Sequence, residues 1–487
     1  MAGDKVKMRK QLGLLEGVAI ILGIIFGSGI FISPKEVLEK TGSVWGALVV
    51  WAACGGLATL GAMSYAELGT TLAQSGGDYH YIHEAYGPLL AFLYLWDANL
   101  VFVPSTNAIM SLTFANNILE PIFPNCPIDP LCRKLIAAVT ICFLTFINAY
   151  DVKFTTRVQN VFMFTKISAL VIIIIGGIVW MAGAIKCYLF YSILFYSNIR
   201  VAYIFFCLTS VERQTANLME SGYHRLWTSI TPKVLSMSYL NFMTEELRDP
   251  FVNLPRAIYL SLPLVTAIYL LANVSYLAVL GPVGVIATEA IAVDFAVMAL
   301  GWMKWAMPTL VAIAILGGLS VHIMASSRMC FAGARNGHMP ELLAHINVKC
   351  MSPMPSLVFL MLISLIMLIP DNLTSLITYC TVVESFFTTL SCSAVLWLRY
   401  KKPHLVRPIK VQLWMPIVFV GISVILLVVP VVSEPIAVIA GALITIAGVP
   451  IYFSLVRTKP EFITDVTTKF THFWQKLFLS AVEDKDE

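Results

Sequence analysis

A cation, two carboxylates and a run of small residues stand where the chain is otherwise apolar, and each carries a possible chemistry. Lys166 lies in Asn160-Val-Phe-Met-Phe-Thr-Lys166-Ile-Ser, the one Lys inside a clearly apolar stretch. At 1.5 Å rise per residue it sits about 13–15 Å along a helix from the nearest basic loop, too deep to snorkel with ease. A cation at that depth is costly and is functional by default. It can stand as a fixed positive charge in place of a coupling sodium ion, or be tied to backbone carbonyls in a purely structural role.

Gly27-Ser28-Gly29 interrupts an apolar run. Close helix packing by small residues favours a spacing of four, and these two glycines are only two apart. The pattern suits an unwound break better. A break at bilayer depth frees N–H groups that must meet protein, water or ligand. A half-helix starting near Ile30 aims the positive end of its dipole at the gap, where a substrate carboxylate is the natural filler.

Asp97 and Glu384 are the acidic counterparts, each in apolar surroundings. Either can pair with Lys166, bind a proton or meet a substrate. His322 reads more readily as a satisfied core histidine than as a proton relay. His80 and His83 share a predicted loop, but no cysteine or carboxylate motif joins them to His322 or His338. An enzyme would need a clustered nucleophile, acid–base or metal set. The sequence therefore predicts no enzyme, no metal and no cofactor.

The elements that hold these residues are membrane spans. Of 487 residues, 58% are hydrophobic and 12% charged, and the mean hydropathy is +0.82. Soluble domains carry roughly 25% charged residues. The composition excludes a disordered chain, a nucleic-acid binder and a soluble multi-domain enzyme. A span needs about 20 mostly apolar residues. Stretches without Asp, Glu, Lys or Arg cover 17–34, 41–66, 98–119, 167–185, 257–288, 305–327, 350–370, 411–433 and 435–456. A shorter one covers 135–150, and 372–398 is broken only by Glu384. A twelfth span falls to the region 187–247.

With the N-terminus inside, the cytoplasmic segments hold 18 Lys and Arg and the outer loops five, provided 187–247 supplies one crossing. That satisfies the positive-inside rule, with both termini cytoplasmic. Residues 1–13 form a cytoplasmic N-terminus, 14–457 the membrane domain, and 458–487 a C-terminal tail expected to be solvated. Pro250 and Pro255 are expected to break any helix at the end of Tyr239–Arg256. Asn372-Leu-Thr374 is a glycosylation sequon in a predicted outer loop. Cys126 and Cys132 share another, FPNCPIDPLC, facing an oxidising compartment. Spacing alone leaves two readings open, a disulfide between them or a bond from one of them to a partner chain.

Several motifs occur together and in order: GSGIFISP at 27–34, AELGTTLAQSGGDYHYI at 66–82, FPNCP, YLNFMTEEL followed by NLPRAI, ARNGHMP, and WLRYKKP followed by RPIKV. Over 11–185 and 239–457 the chain resembles the light chains of the heteromeric amino acid transporters, in the L-type and y+L-type branch of the amino acid–polyamine–organocation superfamily. The resemblance implies an all-α polytopic membrane protein with a LeuT-like 5+5 inverted repeat and about twelve transmembrane helices. It implies sodium-independent exchange of large neutral L-amino acids at the plasma membrane. It places substrate contacts at Ile25, Gly27, Ser28, Gly29 and Tyr239, and the sodium substitute at Lys166. It also assigns Cys126 the disulfide to a single-span glycoprotein heavy chain.

The chain departs from that pattern in two places. Relatives carry an aromatic, Gly-rich stretch directly before YLNFMTEEL, the outer half of a broken sixth span. Residues 187–238 contain nothing of the kind and read like unrelated sequence, so the sixth span is atypical. A non-transporting or defective form, or a sensor, is the alternative this raises. The second departure is Glu384-Ser385, where relatives often place aromatic or amide pocket residues. A carboxylate there points to the other alternative, a y+L-type or cationic amino acid exchanger.

Overall fold

The computed structural model describes residues 13–26, 29–72, 74, 76–123, 129–150, 152–194, 246–288, 291–301, 306–369, 374–433, 435–458, 471–472, 474–476 and 478–482. Helices dominate them. In chain order these are α1 (Leu14–Ile25), α2 (Gly29–Thr41), α3 (Val44–Thr71), α4 (Asp78–Tyr86), α5 (Pro88–Asp97), α6 (Val103–Ile122), α7 (Pro130–Tyr150) and α8 (Val152–Leu194). There follow α9 (Pro250–Ala287), α10 (Ile291–Ala299), α11 (Ala306–Arg335), α12 (Met354–Ile366), α13 (Thr374–Lys401), α14 (Trp414–Ser433) and α15 (Pro435–Ile451). Six helical stretches among the described residues are long and apolar enough to cross a membrane, with four shorter apolar helices beside them. The chain is an integral, multi-pass membrane protein.

The apolar runs read from the sequence correspond to these helices, with instructive differences. The run at 17–34 is two helices, α1 and α2, separated at the small residues. The run at 98–119 begins earlier, at Pro88, and passes through a π-helical turn, Ala98–Phe102, between α5 and α6. Such a wide turn leaves local backbone off the regular ladder and marks functional positions in other proteins. The expected break at Pro250 and Pro255 is not found. Pro250 starts α9, where a missing N–H costs nothing, and Pro255 is absorbed within it. The real bend in α9 is Gly281, at φ +69° ahead of Pro282, a backbone region open to glycine. The helix carrying Lys166 does not stop at the apolar boundary but continues through Leu194. Most of the atypical segment, along with Tyr239 and the sequon Asn372, lies outside the described residues.

The core is organised around α11. Its apolar window is 78% buried, against at most 56% for the other spans. It packs against α1, α6, α8 and α12. Its polar side chains, among them Ser320, His322, Ser326, Ser327 and Arg328, are buried along with its apolar ones, as in a central helix. Helix α9 lies against α3, α8 and α1, and α13 against α14, α15 and α4. Long apolar side chains remain exposed on the outer helices, for example Val139, Phe143 and Phe146 on α7. Lipid covers such surfaces at no cost, since the bilayer interior is itself apolar.

The C-terminal tail is not wholly solvated. Strand β1 (His345–Asn347) pairs antiparallel with β2 (Ser480–Val482), His345 opposite Val482. Asn347 donates its side-chain amide to the Phe478 carbonyl at 2.6 Å, and Gln475 meets His345 at 2.7 Å. The segment is held because it completes the backbone hydrogen bonds of the loop after α11, which no charge count reveals.

Candidate functional site: a broken helix beside a buried lysine

Helix α1 ends at Phe26, whose backbone (φ −79°, ψ 63°) has left the helical region, and α2 starts at Gly29. The break thus falls where the small residues predict it; Gly27 and Ser28 themselves lie outside the described residues. A helix end leaves four carbonyls without intrahelical donors. Here two of them, on Gly23 and Ile25, meet donors from other helices. The Phe26 N–H donates to Leu22 O at 2.9 Å. Lys166 Nζ, fully buried, donates to Gly23 O at 2.5 Å. Tyr269 Oη, from α9, donates to Ile25 O at 2.9 Å. Phe26 stacks on the Tyr269 ring at 6.0 Å, and Trp51 meets it at 5.1 Å. Side chains from α8 and α9 therefore hold the frayed end of α1 in place. A cation at a helix C-terminus also meets the negative end of the dipole.

Room for the lysine comes from Gly317 and Gly318 on α11. A Cβ at Gly317 would lie 2.7 Å from Phe162 Cβ and 2.9 Å from Lys166 Cε. A Cβ at Gly318 would lie 3.5 Å from Gly23 O. Three helices thus converge on one ammonium group, and none brings a carboxylate to it. The pairing of Lys166 with Asp97 or Glu384 that the sequence allows is not made.

Those two acids instead share a separate cavity. Its lining includes Asp78, Tyr94, Asp97, Phe102, Glu384 and Thr388. Asp97 lies at the end of α5, directly before the π turn, and is almost wholly buried. It accepts a hydrogen bond from the Thr445 hydroxyl at 2.7 Å. Ser385 is buried beside Glu384 in sequence but does not line the cavity. His322 is a core histidine. Its Nδ1 lies 2.8 Å from Asn107 Oδ1, and Asn107 donates onward to Ser364 at 3.0 Å. Ile25 contributes its backbone carbonyl to the break. Cys126 and Tyr239 lie outside the described residues, while Cys132 is free and exposed at the start of α7.

The motif charges that the sequence reading passed over prove to be a clamp. Glu67 of AELG is buried and accepts from Arg399 Nε at 2.8 Å, from Arg399 Nη2, and from the Val411 N–H at 2.9 Å. Arg407 approaches the same carboxylate at 3.8 Å. Glu246 of TEEL pairs with buried Arg328, Nε to Oε1 at 2.7 Å. Arg328, one of the 18 basic residues counted on the cytoplasmic side, is therefore an interior residue of α11. A signal was available: acids and arginines inside motifs flanked by apolar runs must find each other, because a lone buried charge is prohibitive. Nearby, Glu84 pairs with Lys402 at 2.8 Å, and the hydrogen bond from Lys402 holds its carboxyl below the usual range. His338, after α11, shares a 3.0 Å hydrogen bond with the Tyr79 hydroxyl. Burial, with the neighbouring His83, pushes its imidazole down to about 4.

The chain has known relatives. A family model described as amino acid permease matches residues 12–456. Over 478 residues the chain is 39% identical to large neutral amino acids transporter small subunit 2 of Homo sapiens, covering 98% of this chain and 86% of that one. It is 38% identical over 490 residues to Asc-type amino acid transporter 1 of Homo sapiens, covering 100% and 90%. It is 35% identical over 481 residues to b(0,+)-type amino acid transporter 1 of Mus musculus, covering 98% and 94%. These relatives are amino acid transporters, not enzymes, and the first is a small subunit. With a family match over residues 12–456 and near-complete overlap with such proteins, the chain belongs to the amino acid permease family.

Proposed function

We propose that the chain exchanges large neutral L-amino acids across the plasma membrane without sodium. The observation that carries this reading is the Lys166–Gly23 contact at the end of α1. A sodium ion at a helix break is held by carbonyl oxygens, and here an ammonium group already occupies such an oxygen. With an ammonium donor built in at that carbonyl, no coupling ion is needed. Gly27, Ser28 and Gly29 hold the substrate carboxylate at the start of α2, whose dipole favours an anion. Ile25 and Tyr239 border the substrate. Transport involves no covalent step; the broken-helix elements tilt against the rest of a LeuT-like 5+5 fold of about twelve spans. Both termini are cytoplasmic, with the transport unit over 14–457. Cys126 links the chain to a single-span glycoprotein heavy chain.

A second reading has its own observation. Glu384 shares a cavity with Asp97 and Asp78, and this acidity favours a cationic side chain, as in a y+L-type or cationic exchanger. A third follows from 187–238, where the outer sixth-span motif is missing, and makes the chain a non-transporting form. One experiment separates the three. Cells co-expressing a heavy chain take up labelled leucine and arginine with and without sodium. Leucine uptake indifferent to sodium supports the proposal. Arginine uptake with sodium-requiring leucine uptake supports the second reading. No uptake, with the Cys126-linked complex at the surface, supports the third.

A further inference from the structure

We infer that the loop between α13 and α14 binds anionic phospholipid headgroups of the inner leaflet. From the last turn of α13 to the start of α14, residues 399–414 carry Arg399, Lys401, Lys402, Arg407 and Lys410, with no Asp or Glu. Three of the five are spent inside the protein. Arg399 and Arg407 face Glu67, and Lys402 pairs with Glu84. Arg407 also donates to the carbonyls of Leu398, Lys402, Pro403 and Leu405, so the loop is pinned to its own scaffold. Among the described residues, Lys401 and Lys410 meet no carboxylate, and both are exposed. Lys401 lies over the Trp397 ring at 5.3 Å.

Apolar side chains turn outward beside these lysines, Tyr400 on the last turn of α13 and Val406 in the loop. Tyr400 is 84% and Val406 82% exposed, so both can enter an apolar layer beside the lysines. Trp397 near the end of α13 and Trp414 at the start of α14 are also exposed. Tryptophans at both helix ends mark the headgroup level. The loop therefore sits in that layer, with apolar groups to enter it and two unspent ammonium groups to meet phosphate or carboxylate there. Basic clusters beside a span bind acidic lipids by this chemistry. A general excess of basic residues on one side would explain the charges but not the rigid clamp or the outward Tyr400 and Val406. The choice of leaflet rests on the orientation proposed above; the headgroup binding does not.

Native mass spectrometry of the detergent-solubilised chain tests this, with phosphatidylserine, phosphatidylcholine and free phosphoserine as probes. Phosphatidylserine should be retained over phosphatidylcholine. Free phosphoserine should bind far more weakly, because it lacks the acyl chains that Tyr400 and Val406 meet. Lys401→Gln with Lys410→Gln should weaken phosphatidylserine by roughly 30-fold, from about 1 kcal/mol per basic residue. The pair Lys349→Gln and Arg457→Gln removes the same charge elsewhere and should change little. Equal retention of both lipids would overturn the inference. So would an equal loss in the two double variants, which would show a general charge effect. Neither result depends on transport.

Discussion

Lys166 Nζ donates to the Gly23 carbonyl at 2.5 Å, so a cation on α8 closes the last turn of a helix that stops two residues further on. Removing the ammonium leaves a buried carbonyl without a donor and frees the end of α1. We expect Lys166→Met to cut leucine uptake by roughly tenfold or more, equivalent to about 1.4 kcal/mol, with surface abundance retained. Surface labelling alongside uptake reads both. Gly317→Ala should act on the same spot from α11, since its Cβ would press on Lys166 Cε and on the less yielding Phe162 Cβ. Overpacking of this kind costs about 1–3 kcal/mol, and a thermal-shift assay in detergent should show the loss.

Glu67 lies at the centre of a buried clamp with Arg399 and Arg407. Replacing Glu67 by Gln removes the charge and strands the arginines. Breaking a buried pair from one side costs about 3–5 kcal/mol. We expect Glu67→Gln to lower thermal stability far more than Glu84→Gln. The Glu84–Lys402 pair is partly exposed, and pairs of that kind contribute about 0–1 kcal/mol.

His338 gives the stability a pH dependence. Its imidazole titrates near 4 in the fold against 6.5 in an unfolded chain. Between those values the unfolded state binds the extra proton, so stability is fully present above about 6.5 and falls as pH drops towards 4. Melting temperatures of the detergent-solubilised chain should decline over that window. His338→Gln should flatten the decline, whereas an unchanged slope would place its source elsewhere.

The strand β2 supplies hydrogen bonds to β1 and, through the Leu479 carbonyl, to the Val348 N–H. Deleting 471–487 should raise amide exchange at 345–348 while leaving α11 protected. Hydrogen-exchange mass spectrometry reads both regions.

Much of the fold was legible because a membrane chain announces its helices by uninterrupted apolar runs. The break at Gly27–Gly29 was legible because glycines two apart serve packing poorly, and Lys166 because a lone cation in an apolar run has few alternatives. Which partner Lys166 meets was not legible, since three helices far apart in sequence decide it. The Glu67 clamp was missed for the same reason: its arginines lie more than 300 residues away. The prolines of α9 misled because proline at a helix start resembles proline at a helix end. The docking of the tail was hidden because backbone pairing leaves no mark in charge or hydropathy.

The most direct measurement uses the complex with its heavy chain, reconstituted in sodium-free proteoliposomes. Labelled leucine entry is compared between vesicles preloaded with unlabelled leucine and empty ones. Exchange without sodium requires rapid entry into preloaded vesicles, little into empty ones, and no change when sodium is added. Equal entry into both, or entry only with sodium, would contradict the role assigned to Lys166 and the exchange built on it.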